Sequence, residues 1–274
     1  MTMTLSSPPM PIARLCLPLL LITSLYSSHV TATPYRFPDF FGIGIGKTPE
    51  YHGAKESMTG AVPGGRYAFE SGRYMEWYGP YAGIKVNTDP HFEYGPAVLY
   101  KLGRDEIKNS AVDQLNAIDS GIELGLFVGY SVVNTDYALP FRYRAGALAS
   151  HAFSGDTEGA NINLYNSVWV PVNQDTFVGI GAGLTWANGE FMRHNFSVSD
   201  QESQLTGIAP FAASGGLRQY YAWTGVVHRL NRHWALGAGA YLQQLTNDAK
   251  HSTITVQQGD DVQVTYGIGL GYFF

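Results

Sequence analysis

The sequence has one cysteine, Cys16, and beyond residue 32 it has no apolar run long enough to cross a bilayer as a helix. Cys16 falls in a leader expected to be removed. The mature chain therefore offers no disulfide framework, no thiolate metal site and no cysteine nucleophile. Charge is also scarce, at 14% of residues, and no stretch is strongly basic. Nucleic acid, which needs clustered Lys and Arg, is excluded as a partner. Asp248, Asp260 and Asp261 lack the spacing of a calcium loop and read as solvated loop charges. No metal and no cofactor are expected.

The leader has a simple signature. Arg14 is the only Lys, Arg, Asp or Glu in the first 32 residues, and an apolar core, Leu15 to Ile22, follows it. Val30-Thr31-Ala32 supplies small residues for cleavage, so residues 1–32 read as a secretory signal and 33–274 as one domain. Pro18 and the serines interrupt the run too soon for a spanning helix. Cys16 lies inside that core, the wrong place for a lipoprotein cysteine. Removing 32 of 274 residues leaves 242, with 16 basic and 22 acidic groups and a formal charge of −6.

Glycine and tyrosine are plentiful, at 32 and 18 residues. Gly42-Ile43-Gly44-Ile45-Gly46-Lys47 resembles a phosphate loop at first sight. Its spacing is wrong for one, and a turn-forming stretch rather than a helix comes next. The pattern also recurs, in Phe177 to Leu184, Trp234 to Tyr241 and Tyr266 to Tyr272. A motif repeated in this way belongs to strands, with glycine on one face and apolar residues on the other.

The last segment is the clearest. Val262, Val264, Tyr266, Ile268, Leu270, Tyr272 and Phe274 share one parity, and Gln263, Thr265, Gly267, Gly269 and Gly271 the other. Such segments run to about ten residues, enough for a tilted strand to span hydrocarbon, and aromatic residues sit at their ends. Gaps between them alternate long and short: 187–214 and 246–260 are long, while Val172 to Thr176 and Leu230 to His233 are tight. The expectation is an all-β, antiparallel transmembrane barrel with short periplasmic turns and longer outer loops. Further outer loops fall near 103–118, 153–159 and 48–61, and a periplasmic gap near 88–91. Twelve strands fit best, with ten or fourteen as alternatives, because residues 62–86 read either as two strands or as three.

Parity places Glu93, Lys101, Glu123, Arg142, Arg144 and Arg218 inside the barrel. They read as a salt-bridged filling of a narrow lumen, the preferred reading, or as a polar pathway for small solutes. Residues 103–119 mix charge with Ile107, Val112, Leu115 and Ile118 at near-helical spacing. That segment either folds over the pore or is simply tied down at Arg104-Asp105; the second is preferred. Arg104, Asp105 and Glu106 are the candidate partner surface. No base–nucleophile set can be named, so no catalytic residue and no enzyme are expected.

Several stretches resemble the MipA/OmpV family of outer-membrane proteins. They are Pro49-Glu50-Tyr51-His52-Gly53, Tyr100-Lys101-Leu102-Gly103-Arg104-Asp105, Asn195-Phe196-Ser197-Val198-Ser199 and the Tyr272-Phe273-Phe274 end. Ser197, and His251-Ser252-Thr253 where a Ser-Pro pair is common, depart from the pattern within loops. The resemblance implies an outer-membrane scaffold that links a lytic transglycosylase to a penicillin-binding protein. A small-solute channel is the alternative. As partners it implies outer-membrane lipid and the barrel-assembly machinery, which would read Tyr266, Ile268, Leu270, Tyr272 and Phe274 as its signal.

Overall fold

The computed structural model describes residues 38–134, 140–155 and 158–274; the expected signal, 1–32, lies outside them. Twelve antiparallel strands close into a barrel: β1 (Phe40–Pro49), β2 (Ser57–Ala68), β3 (Tyr74–Tyr78), β4 (Tyr81–Lys85), β5 (Phe92–Lys101), β6 (Gly121–Asn134), β7 (Phe141–Ser154), β8 (Ala160–Pro171), β9 (Thr176–Ala187), β10 (Gly216–Arg229), β11 (Trp234–Leu245) and β12 (Val262–Phe273). Each pairs with its neighbours in sequence, and β1 closes the ring on β12 from Phe40↔Phe273 to Lys47↔Tyr266. The ring has no free first or last strand, as hydrocarbon requires.

Alternation carries through to burial. In β12 every second residue from Val262 is exposed, and Ile268 and Leu126 are 67% and 70% accessible. Apolar side chains left so bare around a closed wall face lipid, and the polar face is the inner one. Aromatic residues gather at both rims. Trp234 packs edge-on against Tyr272, and Tyr67 stacks on Phe274, at the end that carries the termini. Tyr100, Trp186 and Tyr220 stand exposed toward the other end.

The repeated glycines line up across strands. Gly42, Gly44 and Gly46 oppose Gly271, Gly269 and Gly267, the last two of which also oppose Gly237 and Gly239. This is a bare inner face on which neighbouring backbones and rings approach closely. A Cβ on Gly44 would sit 2.5 Å from the Ile268 carbonyl oxygen, and one on Gly179 would sit 2.5 Å from the Trp169 ring. The glycines thus make room for tryptophans lying flat against the wall; Trp169 and Trp223 meet at 5.8 Å between ring centres.

Residues 62–86 resolve as three strands, and the expected outer loop at 48–61 shrinks to residues 50–56 because β2 begins at Ser57. The β3–β4 hairpin is short. Its pairing with β2 stops at Gly64↔Tyr78, so Ser57–Pro63 pairs with β1 alone. At the lid end of this stretch Lys108 reaches the Ser57 carbonyl and the Glu50 carboxylate.

The long loops at the end opposite the termini carry four short helices: α1 (Gly189–Phe196), α2 (Asp200–Thr206), α3 (Asn247–His251) and α4 (Thr253–Gln258). Sequence periodicity gave no sign of them, since each is too short to show an amphipathic face. Two apolar clusters weld these loops into a lid. One joins Tyr51, Val112, Leu115, Val198, Ile208 and Ile254; the other joins Phe191, Met192, Phe196, Leu245 and Ala249. Residues 103–118 are therefore not merely tied down. Val112, Leu115 and Ile118 are 1–5% exposed, and their segment folds over the barrel mouth. The loop is tied down at Arg104 and also folds over the mouth: its apolar residues need a partner core, and three other loops supply one.

Candidate functional site

The six inward charges fall into two clusters at opposite ends of the lumen. Near the termini, Arg144 on β7 bridges Glu76 on β3 at 2.7 Å and Glu93 on β5 at 2.8 Å. Tyr74 lies beside it, and Arg142 is buried on the same strand. A guanidinium fork is suited to two carboxylates on different strands, because its donors diverge in one plane. Glu76, which completes the triad, escaped the sequence reading, although its parity matched that of Tyr74, also buried.

At the lid end, Glu123 on β6 accepts from Ser150 Oγ at 2.7 Å and Asn161 Nδ2 at 3.2 Å, and pairs with Lys101 Nζ at 3.4 Å. Lys101 Nζ is also 3.4 Å from His52 Nε2. Arg218 Nη1 lies 3.4 Å from the same nitrogen. Both cations sit over one ring, Phe191 of α1, at 4.1 Å for Lys101 and 4.9 Å for Arg218. β5 and β10 are five places apart around a ring of twelve, so they stand almost opposite one another. Two side chains from nearly opposite walls that meet on one imidazole and one phenyl ring span the lumen at this level.

Strict alternation along β10 would turn Arg218 outward, since Gln219, Tyr221 and Trp223 face in. Pairing with β9 jumps from Leu217↔Trp186 to Gln219↔Thr185, leaving Arg218 as the extra residue of a β-bulge. The bulge brings Arg218 and Gln219 inward together, 6% and 3% exposed.

His52 belongs to the lid loop between β1 and β2. Burial drives its pKa well below the usual histidine value, and the Arg218 and Lys101 cations push the same way, so the ring is neutral. Its Nε2 lone pair can then accept from both cations. Behind it the lid keeps a cavity of about 10 Å³, water-sized, lined by Tyr51, Arg104, Ile118 and Asn195 among others. Neither His52 nor Phe191 was foreseen as a site residue: nothing in local sequence shows that a loop residue will drop into a barrel.

Of the candidate partner surface, Asp105 and Glu106 are exposed, but Arg104 is buried. Its guanidinium donates to the carbonyls of Asn195 and Asn116, fastening the 102–120 loop to α1. Arg104 is therefore a lid fastener rather than a docking residue. Tyr266, Ile268, Leu270, Tyr272 and Phe274 form one exposed stripe on β12 and its end. Among the described residues no group of His, Cys, Asp and Glu could hold a metal; Asp248 accepts from Ser214 and Asp261 pairs with Lys250.

The sequence model described as "MltA-interacting protein MipA" matches residues 41–274. No curated protein is significantly similar. Among solved structures, an outer-membrane channel from Pseudomonas putida F1 aligns over 91% of this chain and all of its own, at 10% identity and a TM-score of 0.46. The NanC porin aligns over 85% of this chain and 98% of its own, at 12% identity and a TM-score of 0.44.

Proposed function

Because the chain belongs to the MipA family, we propose that this outer-membrane barrel is a scaffold for murein-remodelling enzymes rather than a pore. The observation that supports the reading is the bridged and lidded lumen: Lys101 and Arg218, from nearly opposite walls, meet on His52 and Phe191 beneath a lid with its own apolar core. A barrel filled in this way presents rigid rims and an outer wall, and rigid surfaces are what an assembly platform offers. The family description names an interaction with MltA; the partners proposed here are a membrane-bound lytic transglycosylase and, from the family resemblance alone, a penicillin-binding protein. In this reading the end that carries the termini faces the periplasm, where such enzymes work, and the exposed Asp105 and Glu106 stand at the opposite, lid end.

The test is capture of purified lytic transglycosylase by the full chain in lipid nanodiscs, with an unrelated barrel as control. Selective, saturable capture is expected. Equal binding to both barrels would sink the scaffold reading, and steady unit currents in planar bilayers at neutral pH would replace it with the channel.

A further inference from the structure

The lid-end cluster has an unbalanced charge. Lys101 and Arg218 bring two positive charges, Glu123 brings one negative, and His52 is neutral. Among the described residues, no carboxylate lies within ion-pair distance of Arg218, and its Nε, buried, has no hydrogen-bond partner. Gln219 Oε1 beside it also lacks one. Burying a guanidinium without a counter-charge is costly. Here the missing anion is replaced by weaker substitutes, the π-face of Phe191 and the lone pair of His52. A β-bulge is spent on aiming Arg218 at this spot, a device that re-aims side chains beside functional sites.

We propose that Lys101 and Arg218 form a binding site for a small oxyanion, a carboxylate or sulfate-like group carried on a solute, and that His52 occupies the anion's place in the closed state. The two cations converge on His52 Nε2 at 3.4 Å each, from nearly opposite walls. An oxygen placed where that nitrogen stands would meet both and balance the charge. Arg218 supplies a fork suited to two oxygens, and Lys101 a point charge. Withdrawal of loop 50–56 uncovers the pair; it releases the lid contacts of Tyr51 and Ala54 and the two hydrogen bonds that Gln263 of β12 donates to their carbonyls.

The arrangement is also pH-sensitive in a defined direction. The groups facing His52 are Lys101 from β5, Arg218 from β10, and Glu123 from β6 through Lys101; Tyr241 on β11 acts on Arg218. On its own loop stand Tyr51, Glu50, Glu56 and the exposed Lys55, and Arg104 shares its cavity. Two cations lie nearest. A proton on His52 would remove the shared acceptor and add a third positive charge, so acid favours withdrawal of the ring and admission of an anion.

Sulfate is the probe, because its charge does not change across the range, with succinate as the carboxylate arm and chloride at matched ionic strength as reference. The full chain, refolded in detergent, is followed by its thermal midpoint. H52A is expected to show saturable sulfate or succinate stabilisation at about pH 7.5, with an apparent affinity at least about tenfold tighter than the unsubstituted chain. H52A/R218Q should lose it. The unsubstituted chain should gain affinity on going to about pH 5 by a larger factor than H52A, in which His52 no longer titrates. H52Q, which keeps an acceptor but cannot titrate, tests the same point if H52A does not fold: its gain on acidification should be smaller than that of the unsubstituted chain. The same response to both anions and chloride in all variants, or retention of binding in H52A/R218Q, would overturn the site.

Discussion

Replacing Arg144 by Met is the sharpest test of the filled lumen. The guanidinium holds two carboxylates, Glu76 and Glu93, at 2.7 and 2.8 Å, and the three side chains are 15%, 2% and 4% exposed. If the cluster were wet, solvent would screen it and the substitution would cost about 1 kcal/mol or less. Buried as it is, removal of one partner strands two negative charges, and breaking a buried pair costs about 3–5 kcal/mol. Much of that loss is the penalty on the abandoned carboxylates rather than the worth of the bond. The triple variant R144M/E76Q/E93Q should accordingly recover more than half of the loss, despite carrying three changes. The measurement is urea unfolding of the barrel in liposomes, followed by emission of its five tryptophans and extrapolated linearly. A single-variant loss under about 1 kcal/mol, or a triple variant no better than the single, would refute the dry-lumen reasoning.

Gly179→Ala should cost about 1–3 kcal/mol by overpacking, because its Cβ would press on the Trp169 ring, and should shift tryptophan emission. Gly60→Ala, with open space around the added carbon, is the neutral control; similar losses in both would remove the packing explanation. Hydrogen bonds from Ser214 lower the pKa of Asp248, and the Lys250 ammonium lowers that of Asp261. Depressed carboxylates stabilise the fold above their usual value of about 3.9 and lose that contribution as pH falls through the folded value. Hydrogen exchange across residues 246–261, corrected for intrinsic rate, should therefore quicken below about pH 4 in the native chain. D248N should already exchange faster at neutral pH; unchanged protection would count against the hinge of α3 on Ser214. Deleting Phe274 should reduce outer-membrane assembly in cells yet leave refolding in detergent intact, since its side chain is 65% exposed. Normal assembly in cells would remove it from the signal read by the assembly machinery.

The sequence by itself determined the wall. A strand's two-residue period makes every side chain declare its face, so Val262 to Phe274 stated both the lipid side and the glycine side without any long-range knowledge. The same parity placed Glu93, Lys101, Glu123, Arg142 and Arg144 indoors. Arg218 also lies indoors, but a bulge puts it there, and a bulge leaves no mark in the pattern. Only the tertiary structure decided which charges meet. Arg144 and Glu76 are 68 residues apart, and His52 and Arg218 are 166 apart. The lid was illegible for the same reason: its two cores join residues from four loops, and no one loop shows which others it will meet. Parity is a local property of the backbone, whereas closing a lumen depends on which strands stand opposite, and that is settled only when the ring closes.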